Sequence, residues 1–117
     1  MATIKSYTDL SQSRKLAAIL PLESEDMCWQ YQKDRWVGEP DYNEFPQFEH
    51  ATDKRDIPCW SLTALLSVLP KGTNISTPKP INALSYCCWN QYDEIYADNP
   101  IDACYEMILK LNELKLL

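Results

Sequence analysis

Five cysteines, Cys28, Cys59, Cys87, Cys88 and Cys104, and the single histidine His50 are the side chains best suited to metal or thiol chemistry. Zinc takes thiolate and imidazole ligands in closely spaced pairs, and this chain has no C-x-x-C. Adjacent Cys87 and Cys88 would point to opposite faces of a strand, and Cys104 falls on the apolar side of a helical pattern. Core packing is therefore the expectation for the cysteines, with no metal and no cofactor. Thiol catalysis needs a base beside the sulfur, and His50 sits in an irregular segment without a motif, so it reads as a solvated loop residue. The acidic runs Glu23-Ser24-Glu25-Asp26 and Asp93-Glu94 read as exposed turns rather than as paired general acids, because nothing around them would split their pKa values. With Gly38 and Gly72 as its two glycines, the chain offers no glycine-rich phosphate cradle.

Aromatic chemistry is better supplied. Four tryptophans, Trp29, Trp36, Trp60 and Trp89, accompany seven tyrosines, and exposed aromatic surfaces are a common means of binding partners. At least two of the tryptophans are expected in the core. The candidate binding residues are Trp36, Tyr42, Phe45 and Phe48, from an acidic, proline-containing stretch over residues 33–57, together with Trp60. A formal charge of −6 argues against direct nucleic-acid binding, which rewards Lys and Arg through counterion release. No apolar run reaches the length of about 18 residues that spans a bilayer, and the start of the sequence lacks a signal pattern. With cysteines that match no disulfide framework, a reduced cytoplasmic setting is expected.

The elements that would position these residues begin with a helix capped by Thr8 or Ser6, in which Leu10, Leu16, Ala17, Ile19 and Leu20 form the apolar side and Pro21 ends it. Residues 27–32 suit a short strand. Residues 58–69 read as a second helix, with Trp60, Ala64, Leu65, Val68 and Leu69 at helical spacing and a stop at Pro70-Lys71-Gly72. A loop then runs to Asn82, and residues 83–89 and 94–97 flank a polar turn as a hairpin. The last element is the clearest. Asn99 is a natural N-cap, Pro100 suits the first helical position, and Asp102 adds favourable charge to the first turn. Ile101, Cys104, Met107, Ile108, Leu111 and Leu114 recur at three- and four-residue spacing, opposite Asp102, Glu106, Lys110 and Glu113.

Two segments carry a resemblance. Pro58 to Leu69, and Trp89 to Tyr96 followed by Asn99-Pro100, Ala103 and Cys104, resemble motifs of the phage ABA-sandwich domain proteins. The ending with Leu111 and the Leu-Lys-Leu-Leu tail also resembles small proteins of phages and mobile elements. The resemblance implies a helix, antiparallel sheet, helix sandwich and an origin in phage or mobile genomes, and it carries over no catalytic residues. The reading is thus one α+β domain over residues 1–117, an antiparallel β-sheet sandwiched by α-helices with the C-terminal amphipathic helix packed on the sheet. The expected function is a non-enzymatic accessory protein that binds an unidentified protein. Two alternatives are a small-molecule binder that sequesters a nucleotide-like signal through its aromatics and an acidic inhibitor of a nucleic-acid-binding host protein. Self-association through a sheet edge or face is compatible with each.

Overall fold

The computed structural model describes residues 5–31, 46–51, 54–77 and 86–117. Of the sequence-based expectations, those on Trp36, Tyr42, Phe45 and residues 83–85 fall outside these residues. The order is α1 (Leu10–Ala17), a single 3₁₀ turn (Leu22–Ser24), β1 (Met27–Trp29), β2 (Ile57–Cys59), α2 (Leu62–Val68), β3 (Asn74–Ser76), β4 (Tyr86–Trp89), β5 (Glu94–Ala97) and α3 (Pro100–Glu113). The fold is α+β, with its antiparallel pairing divided between a two-stranded sheet, β1-β2, and a three-stranded sheet, β3-β4-β5.

Local chemistry sets each boundary. Asp9 caps α1: its carboxylate accepts from the Gln12 backbone N–H at 2.8 Å while the Gln12 side chain accepts from the Asp9 N–H at 3.1 Å, a reciprocal capping box. The cap is therefore neither Ser6 nor Thr8. Thr8 is fully buried, and its hydroxyl lies 2.7 Å from the Ser13 hydroxyl and accepts from the Trp60 backbone N–H at 3.2 Å. A buried hydroxyl with two tertiary partners has left the capping role to its neighbour.

The helix expected over residues 58–69 is shorter. Pro58 disfavours helical geometry at Ile57, and Ile57–Cys59 pairs with Met27–Trp29 instead. Pro58 stands opposite Cys28, whose backbone N–H and C=O both bond to Gln47 on the other side, so the missing N–H of Pro58 costs no ladder hydrogen bond to β1. Ser61 then caps α2, accepting from the Ala64 N–H at 3.3 Å. The cap is held in place by Asp26, which accepts from the Ser61 N–H at 3.0 Å and from its hydroxyl.

β3 is an element that the sequence pattern hid, because three residues with one apolar member, Ile75, show no period. It pairs with β4 in the register Asn74↔Trp89, Ile75↔Cys88 and Ser76↔Cys87. The β4-β5 turn is closed by Asn90, whose side-chain oxygen accepts from the N–H groups of Tyr92 at 2.8 Å and Asp93 at 3.2 Å, an arrangement that favours Asn in turns.

α3 has the cap its sequence announces, with the Asn99 side chain accepting from the Asp102 N–H at 2.9 Å. It ends where Lys115 takes a left-handed backbone (φ 59°), its N–H bonding to Asn112 O and that of Leu116 to Leu111 O. Leu114, expected in the apolar stripe, is half exposed at this turn.

Ile101, Ala103, Cys104, Met107, Ile108 and Leu111 of α3 form the main core with Leu16, Leu20, Trp60, Ala64, Leu65, Leu69 and Cys88. A smaller cluster, Met27, Trp29, Ile57 and Cys59, packs against Tyr7 and Leu10. α1 supplies side chains to both. At its amino-terminal end Lys5 bonds to Asp9 at 3.0 Å and to Asp102 at 2.9 Å, and Gln12 donates to Asp102 at 2.8 Å, so the starts of α1 and α3 share one polar network.

Candidate functional site: the open face of the three-stranded sheet

In a strand, alternate side chains leave opposite faces. Ile75, Cys88 and Ile95, joined by register across β3, β4 and β5, point inward and pack into the core with α3. The intervening positions form the other face. There Trp89 stands directly across from Glu94, with Asn74 on its other side, and Tyr96 stands across from Cys87, with Ser76 beyond it. Trp89 is 42% exposed and Tyr96 57% exposed, and Tyr92 at the hairpin tip is 47% exposed.

Two of these side chains are tied together. The Tyr96 phenol donates to the Glu94 carboxylate at 2.9 Å. That bond, together with the carboxylate's charge, pushes the phenol pKa up to about 12, so Tyr96 stays a neutral donor. By register Glu94 stands opposite Trp89 and two residues from Tyr96 on the same face, so both aromatic positions neighbour it. The carboxylate keeps further lone-pair positions beyond the one that Tyr96 occupies. This face can stack on planar groups, accept hydrogen bonds and hold a positive charge.

The residues that suggested chemistry in the sequence are placed differently. All five cysteines are buried and free of disulfides. Burial, reinforced by the negative charges of Asp56, Glu25 and Glu49, pushes the Cys28 thiol up to about 11. A thiol held protonated in this way is a poor nucleophile. Cys104 of α3 packs in the core with Cys88 of β4, and that neighbour together with burial holds its thiol protonated. Among the described residues no group of three or more His, Cys, Asp or Glu could hold a metal ion, and no helix is long and apolar enough to cross a membrane.

His50 is exposed, and its Nδ1 lies 2.5 Å from Glu25 Oε1. Glu25 itself corrects the expectation of an exposed acidic turn: it is 6% exposed, and among the described residues its Oε2 is buried without a hydrogen-bond partner. The neighbouring Asp26 is spent on the Ser61 cap.

Trp60, named above as a candidate binding residue, is fully buried in the main core, with its indole N–H donating to the Ser24 hydroxyl at 3.0 Å. That burial removes it from any surface site. Phe48 is 77% exposed. It lies beside Gln47, whose backbone bridges to Cys28 through two 2.9 Å hydrogen bonds, and so belongs to the two-stranded sheet's end of the molecule.

A groove of about 400 Å³ lies between α1's exit and the end of α3, lined by Ile19, Leu20, Pro21, Val68, Asn112 and Leu117. None of these described lining residues is aromatic.

No protein-family model, curated protein or solved structure matches this chain.

The site is thus defined by its geometry. Sequence reasoning passed over Trp89, Tyr92 and Tyr96 because the hairpin was valued for its strands. The usable signal was the alternation of Trp89 with Cys88, and of Tyr96 with Ile95, which puts an aromatic on the face opposite the apolar one in both strands.

Proposed function

We propose that this chain is a non-catalytic binding protein that engages a protein partner through the open face of β3-β4-β5. The observation that carries the reading is the exposure of Trp89, Tyr92 and Tyr96 on a sheet whose other face packs against α3. Trp and Tyr are the residues most enriched among those that dominate interface energetics, since each offers a large rigid area with a polar tip. Two of the four tryptophans, Trp29 and Trp60, already serve the core with satisfied indole N–H groups: Trp29 donates to Ser13 at 3.3 Å and Trp60 to Ser24. Trp89 is not needed in that role. An origin in a phage or mobile element rests on the resemblance of the Pro58–Leu69 and Trp89–Cys104 segments, and an accessory protein of that origin that acts by binding agrees with this site.

Affinity capture from cells that express the protein tests the reading. The natural chain should retain a stoichiometric partner, and a Trp89→Ala, Tyr96→Ala double variant should lose it while keeping its thermal stability. Undiminished capture by the double variant would refute the assignment of this face.

A further inference from the structure

We infer that the partner presents a basic segment to the open face, with an arginine side chain lying over the Trp89 and Tyr96 rings and paired with Glu94. This rests on the reading of the face as a binding surface and specifies the chemistry of what it takes.

Three features converge on a cation. The faces of aromatic rings carry negative potential and attract a guanidinium that stacks on them. Glu94 supplies a formal negative charge opposite Trp89 and beside Tyr96, whose hydroxyl donates to it. The chain's net charge of −6 favours positive partners over negative ones. Asp93 and Asp98 flank β5 in sequence and add negative charge locally.

Arginine is favoured over lysine by shape. A guanidinium is planar, stacks on rings, is weakly hydrated and meets a carboxylate with two parallel donors. An ammonium is a compact, strongly hydrated charge that gains less from a flat surface. The outer edges of the site, Asn74 and Ser76, are neutral hydrogen-bonding residues suited to the backbone of a segment laid across the sheet. Neither a nucleic acid nor an acidic peptide meets complementary charge here.

The test uses two capped octapeptides of alternating glycine and a basic residue, one with arginine and one with lysine, titrated into the isotopically labelled full chain. The Trp89 indole N–H resonance, assigned by its absence in Trp89→Phe, reports on the face. The arginine peptide should move this resonance and bind at least about threefold more tightly than the lysine peptide of equal charge. Glu94→Gln should weaken it at least about fivefold without changing the thermal midpoint, since an exposed pair is being removed and the cation–π contact remains. Added salt should weaken binding further.

Equal binding of the two peptides, an unmoved Trp89 resonance, or indifference to Glu94→Gln would each overturn the inference. The two proposals fail differently. If Glu94→Gln leaves the captured partner in place while Trp89→Ala, Tyr96→Ala removes it, the face is the binding surface and its partner is not held through arginine. If neither variant affects capture, the binding surface itself is misassigned.

Discussion

The two sheets of this protein use the same residue types for opposite ends. In β1-β2 the one aromatic of the strands is engaged inside the molecule: Trp29 meets Tyr7 edge to face at 5.8 Å between ring centroids and donates its N–H to Ser13, and the exposed Phe48 lies on the adjoining segment rather than in either strand. β1 itself is buried along its whole length, at Met27, Cys28 and Trp29. In β3-β4-β5, one face packs on α3, with Cys88 buried and Ile75 and Ile95 partly buried, while the other leaves Trp89 and Tyr96 exposed beside a carboxylate, with Cys87 buried between Ser76 and Tyr96. The contrast shows that the number of aromatics in this chain says little about binding. What matters is which of them the helices fail to cover.

If that division is right, substitutions should separate sharply by side. The largest effect is expected where α3 meets the three-stranded sheet. Ile108 is fully buried, so Ile108→Asp places a carboxylate in the main core and should cost at least about 4 kcal/mol, a large fraction of a total stability of about 5–15 kcal/mol, read as a steep fall in the thermal midpoint. An unchanged midpoint would mean that α3 packs by another face.

A matched pair of tryptophan substitutions then compares the interior with the open face. Trp60→Phe removes buried volume and leaves the Ser24 hydroxyl without its donor, so a loss of about 1–3 kcal/mol in urea unfolding is expected. Trp89→Phe keeps a ring on the half-exposed position and should change stability by less than about 0.5 kcal/mol. Similar losses for the two would erase the distinction.

The smallest effect concerns the polar network that ties α1 to α3. Asp102 is depressed below its ordinary value of 3.8: burial opposes its charge, and the hydrogen bonds from Gln12, Lys5 and Asn99 outweigh that burial. A carboxyl lowered in the folded state favours folding above its unfolded pKa, and that contribution is lost as the pH falls through the folded value. Urea unfolding measured from pH 5 down to pH 2 should therefore show a loss of stability below about pH 4 that is smaller in Asp102→Asn. Lys5 is shifted the other way. Burial lowers it, yet its bonds to Asp102 and Asp9 raise it above 10.5, so the same network should weaken only as the pH rises past that value.

Much of this architecture was legible in the residues, and the reasons for the remainder are physical. α3 declared itself because Asn99-Pro100 marks its start and fourteen residues carry an unbroken stripe. The β4-β5 hairpin was visible for the same kind of reason, a polar turn between two short apolar runs. α1 was found but its cap was displaced, since Thr8 is a good cap by type and only tertiary packing shows its hydroxyl engaged with Ser13 and Trp60. Pro58-Cys59 looked like the first turn of a helix until pairing with β1 drew it into a strand. β3 was too short to show a period.

The site was less legible than the fold. Two of its three aromatics lie in strands that had been located, and their parity was readable. Which face α3 would choose was readable from Ile95 and Ala97 in β5, whereas β4 carries a cysteine and an aromatic on each face. What the pattern could not convey was that Trp60 would be drawn wholly inside while Trp89 stayed out, because burial of an aromatic depends on neighbours distant in sequence. The same holds for Glu25, a carboxylate in a run of charges whose burial has no local signature.

The division between a sealed and an open sheet is tested most directly by amide hydrogen exchange on the complex with the captured partner. The account predicts added protection over β4, β5 and their turn, residues 86–97, with β1-β2 and residues 46–51 unchanged. Protection confined to β1-β2 and residues 46–51, with the β4-β5 hairpin exchanging as in the free protein, would contradict it.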